Sequence, residues 1–215
     1  MFLTITKSYI DLPLGGEVVL RHQTWSDYEA LLTSRGDNAA IKIRFNAKQQ
    51  EIELMSPLPG HGRRVDSLAD FVKILLRRQG RDWDSSHPVT LKCFQQAGLE
   101  PDACFYIQNR QAILGKDRLD LAVDPPPDLV LEMDLTATTH IEDYQAIAIP
   151  EVWIYRRQAL KIYCWDGKAY QEQQVSPTLP DIDVKQLLPA YVERAWQAGS
   201  SVALREFEQA LADLR

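Results

Sequence analysis

Asp128-Leu129-Val130-Leu131-Glu132-Met133-Asp134 is the stretch whose reading decides the fold. It follows the loop-forming cluster Pro125-Pro126-Pro127 and reads as a β-strand. Side chains alternate across a strand, so Leu129, Leu131 and Met133 point one way while Asp128, Val130, Glu132 and Asp134 point the other. Three carboxylates on one face of an apolar strand are unusual.

Downstream of this strand, Ile141 to Ala148 forms a short helix that stops ahead of Pro150, whose ring disfavours helical geometry at the residue before it. Val152 to Tyr155 and Leu160 to Cys164 are strands, the second closed by the Asp166-Gly167 turn. Trp153 and Tyr155 alternate with Ile154, which suits sheet packing better than base stacking. Upstream, Val89 to Phe94 and Ala103 to Ile107 are strands flanking the turn-rich Gln95 to Asp102. Before them, Val65, Leu68, Ala69, Val72, Leu75 and Leu76 fall at helical spacing with Asp66, Asp70, Lys73, Arg77 and Arg81 opposite, predicting an amphipathic helix that ends near Gly80. Ser56 to Gly62, rich in proline and glycine, is expected as a surface loop ahead of it.

Nearer the start, Trp25 to Leu32 reads as a short helix. Ile41 to Phe45 and Ile52 to Met55 read as an antiparallel pair joined by Asn46 to Gln50. Two helical patterns close the chain, Val184 to Trp196, with Pro189 breaking up its first part, and Val202 to Leu214. This order predicts an α/β protein, a mixed sheet flanked by helices with a C-terminal helical pair. We expect one domain over residues 1–215, with a core over about 20–175 and a helical tail over 184–215.

Composition narrows the function classes. With 45% hydrophobic and 25% charged residues, the chain has to fold around a core. Cys93, Cys104 and Cys164 are scattered, without the paired spacing of a zinc or redox motif. Lys7, Asp11 and Glu17 interrupt the first twenty residues and no apolar run reaches membrane-spanning length, so a cytoplasmic address is expected. The net charge of −6 has the wrong sign for binding nucleic acid by bulk electrostatics, so any phosphate-binding surface must be local. The basic residues from Arg63 to Arg81 offer one, although on their own a solvated helix face is the better account of them.

The chemistry-bearing candidates are Asp102, preceded by Glu100-Pro101, and Glu132, with Glu53 and His61 as possible neighbours. Magnesium prefers oxygen ligands and takes one or two carboxylates beside phosphate and water. Without a metal, an aspartate after proline is an ordinary turn residue. Glu132 with Asp134 or Asp102 could instead form the acid and base of a sugar hydrolase, although the five tryptophans offer no evident stacking platform for a sugar.

Four segments occur in the order found in a large bacterial family, the Uma-two restriction endonucleases. They are Ile52 to His61, Glu100-Pro101-Asp102, Asp128 to Asp134, and Tyr144 to Trp153 ending Ile149-Pro150-Glu151-Val152-Trp153. The Thr24-Trp25 helix start and the tail with Phe207 resemble the branch with a helical end. The resemblance covers nearly the whole chain, and it is the combination of segments that is specific.

This resemblance implies a PD-(D/E)XK nuclease core, an endonuclease that hydrolyses DNA phosphodiesters with Mg2+ or Mn2+. Asp102 and Glu132 would hold the metal with the backbone carbonyl of Met133, and Glu53 and His61 would sit at the mouth. His61 precedes the long helix, whose positive end favours a phosphate. Arg63 and Arg64 are candidate nucleic-acid contacts. The family's lysine is missing: Asp134 stands two residues after Glu132, and His140 stands in the other usual place, four residues before Tyr144. Histidine, with an ordinary pKa near 6.5, could serve there as base or water positioner. No lysine nearby in sequence clearly takes the missing one's place; Lys92 and Lys161 lie on candidate strands. DNA is the expected partner, a homodimer the expected assembly, and no small-molecule cofactor or membrane is expected. A catalytically inactive relative that binds nucleic acid or protein is the alternative.

Overall fold

The computed structural model describes residues 12–36, 41–87, 89–135 and 138–213. Lys7, Asp11 and Leu214 lie outside the described residues. In chain order the elements are β1 (Glu17–Arg21), α1 (Trp25–Arg35), β2 (Lys42–Asn46), β3 (Glu51–Met55), α2 (Pro59–Arg78), β4 (Asp84–Ser86), β5 (Leu91–Cys93), β6 (Ala97–Leu99) and β7 (Ala103–Tyr106). There follow α3 (Arg110–Ile113), β8 (Leu129–Asp134), a 3-10 turn (Ile141–Ala146), β9 (Glu151–Arg156), β10 (Ala159–Trp165), β11 (Tyr170–Gln173), α4 (Val184–Ala198) and α5 (Ser200–Asp213).

The expected mixed sheet is six-stranded, in the order β11-β10-β9-β8-β7-β4. Only β8 and β9 run parallel in it, joined by the crossover that carries the 3-10 turn. A second, wholly antiparallel sheet has the order β1-β3-β2-β6-β5. The class is α/β with a C-terminal helical pair, as expected.

Three apolar clusters place these layers. On one face of the mixed sheet, Leu131 and Trp153 pack with Phe71 and Leu75 of α2, Leu188 of α4 and Phe207 of α5. On its other face, Val130, Val152 and Ile154 meet Leu91 and Leu99 of the antiparallel sheet together with Tyr144 and Ile149. With both faces covered, all six residues of β8 are buried, carboxylates included. The third cluster, Tyr28, Ile43, Phe45, Ile52 and Leu54, closes the far face of the antiparallel sheet.

The alternation of β2 and β3 therefore decides what the site receives. Ile43, Phe45, Ile52 and Leu54 go to that far core, so Lys42, Arg44 and Glu53 are left on the opposite, half-buried side. At the start of α1, Thr24 and Asp27 form a reciprocal capping box.

Several local expectations change. α2 begins at Pro59, so His61 lies in its first turn instead of in a surface loop. Proline is well suited to the first helical position, where its missing N–H has no partner to lose. The turn-rich segment before Asp102 contains β6, bonded to both β2 and β5. Pro189 is buried inside α4 without ending it. No helix among the described residues is long and apolar enough to cross a membrane.

Candidate active site

The antiparallel register pairs Ala103 with Leu131, so one step further along it Asp102 comes beside Glu132. The Met133 N–H donates to Asp102 Oδ2 at 2.7 Å and fixes that approach. His61 Nε2, from the first turn of α2, lies 3.0 Å from the same oxygen. The other oxygen, Oδ1, accepts from the Lys42 ammonium, which arrives from β2 across the interface between the sheets.

Glu132 accepts a hydrogen bond from the Tyr144 hydroxyl, and Arg44 Nη2 lies 3.6 Å from it. Arg44 also reaches Glu53 at 3.3 Å and Asp143 at 3.7 Å, and the Asn46 amide donates to Asp143 at 2.6 Å. The group thus holds four carboxylates, Glu53, Asp102, Glu132 and Asp143, against two cations, Lys42 and Arg44, with His61 at its edge. A cleft of about 230 Å³ opens onto its Arg44, Glu53 and Asp143 side, lined as well by Asn46, Thr138 and His140.

Burial and charge push the two central carboxylates apart. Burial alone would raise the Asp102 carboxyl, but the Lys42 ammonium and the His61 hydrogen bond outweigh it and leave Asp102 well below the usual carboxylate range. Glu132 is pushed the other way, up to about 7, by burial and then by the Asp102 charge, against the pull of Lys42, Arg44 and the Tyr144 hydroxyl. Burial also raises Glu53, with Arg44 opposing it.

Among the described residues no three His, Cys, Asp or Glu side chains converge as a complete metal cage. Two adjacent buried carboxylates with an excess of negative charge fit a magnesium-type ion, which keeps most of its shell as water and phosphate. They do not fit a zinc site with three or four nitrogen and sulfur ligands.

The sequence candidates therefore divide. Asp102, Glu132 and His61 are brought together, with the Met133 backbone beside them, and Glu53 joins through Arg44. His140 precedes the 3-10 turn, is exposed, and lines the cleft mouth. Asp134 accepts from the Thr139 N–H and hydroxyl, at 3.0 and 2.8 Å, and anchors the loop after β8. Arg63 and Arg64 stack on Trp196. Lys92 pairs with Glu29 and Lys161 with Glu172. The lysine that touches the carboxylates is Lys42, which the sequence reading passed over. The available signal was weak: two cations, Lys42 and Arg44, on the polar side of a strand whose hairpin partner places Glu53 opposite Arg44.

Fold and site together define an α/β protein in which two sheets clasp a buried carboxylate pair between them. The chain belongs to the Uma2 family: the family model, described as "putative restriction endonuclease", matches residues 25–197. The crystal structure of "a putative nuclease belonging to DUF820" from Anabaena variabilis ATCC 29413 is similar at a TM-score of 0.48 and 10% identity, over 75% of this chain and 90% of that one. None of the curated proteins compared with the chain matches it.

Proposed function

We propose that this protein is a divalent-metal-dependent endonuclease that hydrolyses phosphodiester bonds in DNA. The observation that carries the reading is the Lys42 ammonium seated on Asp102 beside Glu132. Asp102, Glu132 and the Met133 carbonyl would hold Mg2+ or Mn2+. When bound, such an ion supplies a Lewis acid that neutralises charge on the phosphate and eases the ionisation of water.

The chain's own groups do the rest. Lys42, held by Asp102, places its side-chain nitrogen at the point where an attacking hydroxide and a crowded phosphate both need a partner, so it takes the role expected of His140. Arg44 and the Tyr144 hydroxyl hold Glu132 in place. His61, in contact with Asp102, sits where the positive end of α2 favours a phosphate. Arg63 and Arg64, two and three residues further along α2, would hold the nucleic-acid backbone. Glu53 and His140 at the mouth would handle water and protons entering the cleft. The homodimer and the cytoplasmic address belong to the same proposal.

The test is nicking of supercoiled plasmid and cutting of single-stranded DNA with Mg2+, Mn2+ or EDTA, comparing wild type with Asp102→Ala, Lys42→Ala and His140→Ala. We expect metal-dependent cutting that is lost in the first two variants and reduced only a few-fold in the third. A folded wild-type protein that cuts under neither metal overturns the reading in favour of a binding relative.

A further inference from the structure

Trp196 belongs to α4, in the C-terminal tail, yet its indole covers the first turn of α2. The guanidinium carbon of Arg63 lies 4.4 Å from the ring centroid and that of Arg64 3.7 Å. The approach is close enough that a Cβ on Gly60 would fall 3.1 Å from the indole. Trp196 remains 41% exposed, so this is a platform at the surface and not a core contact.

What the two arginines lack is informative. Arg21, Arg44, Arg110 and Arg194 are each matched to a carboxylate, and Arg35 grips Glu100 with both terminal nitrogens. Among the described residues, no carboxylate pairs with Arg63 or Arg64. Arg64 Nη1 donates to the Gly60 carbonyl at 3.3 Å, and its buried Nε finds no acceptor. Glu193, a carboxylate one turn earlier on α4, accepts instead from the Tyr155 hydroxyl at 2.9 Å. The chain has more acidic than basic side chains. Among the described residues these two like charges share one ring without a counter-charge, two and three residues past His61, an arrangement that an incoming anion would complete.

We infer that Trp196 is a positioning residue: it stacks Arg63 and Arg64 into a fork for a backbone phosphate of the substrate strand, which makes the C-terminal helical pair part of the substrate grip. The inference rests on the nuclease reading. A planar ring restricts guanidinium motion while leaving the N–H edges free to donate, and guanidinium edges match phosphate oxygens two at a time.

The experiment measures binding of a fluorescent oligonucleotide by anisotropy, in EDTA so that nothing is cut, across a salt series. It compares wild type, Trp196→Ala, Trp196→Tyr and Arg63→Ala/Arg64→Ala, each checked by thermal melting. Trp196→Ala should weaken binding about fivefold to tenfold, the loss expected for two cation–π contacts, while Trp196→Tyr stays within about twofold of wild type. The arginine double variant should lower the salt slope by about one to two units. Under metal, Trp196→Ala should raise KM and leave kcat nearly unchanged. Wild-type affinity in a folded Trp196→Ala protein, or no rescue by tyrosine, overturns the inference and leaves the nuclease reading standing. A wild-type protein that binds no oligonucleotide at low salt overturns both.

Discussion

Replacing Lys42 by methionine keeps most of the side-chain volume and removes the ammonium from the carboxylate pair. The Asp102 side chain is 5% exposed and that of Lys42 17%, so the contact is mostly sheltered from water. Two unit charges about 4 Å apart at an effective dielectric near 20 interact by about 4 kcal/mol. Stranding one charge of a buried pair costs about 3 to 5 kcal/mol. The partial exposure of Lys42 argues for the lower end, a loss of about 3 kcal/mol, or about 6 to 12 °C in Tm for a chain of this length. The pH dependence has a definite sign. Although burial opposes it, Lys42 leads the effects that hold Asp102 below its ordinary value, so the stabilisation is present above that value and is lost as pH falls through the lower folded one. The difference between wild type and Lys42→Met should therefore be largest near neutrality and shrink on acidification. Urea unfolding of wild type, Lys42→Met, Asp102→Asn and the double variant isolates the pair. A coupling energy below about 0.5 kcal/mol would refute the reasoning, since independent sites show no more than that. Mg2+ should stabilise Lys42→Met more than wild type, because the carboxylate pair then has one positive charge fewer beside it.

Three further outcomes test the frame around the site. Gly98→Ala should cost about 3 kcal/mol in urea unfolding, since its Cβ would fall 2.2 Å from the fully buried Tyr28 ring. Thr24→Ala should cost about 1 kcal/mol at pH 7 through loss of the cap. That cost should shrink as pH falls through the folded value of Asp27, whose carboxyl the Thr24 hydroxyl and then its backbone N–H hold below the ordinary range. Cys104, with its thiol pushed up to about 12 by burial, should escape iodoacetamide at pH 8 in the native protein and react once unfolded, as mass spectrometry would show.

The elements legible in the sequence are those whose period the core imposes. α2 shows its apolar stripe because one side packs on the mixed sheet, and the β2–β3 hairpin alternates because one side faces Tyr28 and its neighbours. The strands missed have no such imprint. β1 is largely exposed on both sides at a sheet edge, β11 is Tyr-Gln-Glu-Gln at another edge, and β4 is Asp-Ser-Ser, ordered only by its pairing with β7. β6 is three buried residues, Ala-Gly-Leu, too short to show a period and flanked by residues that favour turns.

The carboxylates and the cations of the site differ in the same way. Asp102 and Glu132 stand out locally, one after a proline and the other charged within an aliphatic strand, and a β7–β8 pairing is enough to bring them together. Lys42 lies sixty residues from Asp102 in sequence and on the other sheet. Its arrival depends on the sheets docking through Leu91, Leu99, Val130, Val152 and Tyr144, a contact that no local pattern announces. Asp134, two residues after Glu132, instead binds Thr139 and holds the loop that carries His140 to the cleft. Sheet docking turns the polar face of β2 toward Asp102, and this is what sets the Lys42 ammonium on the carboxylate.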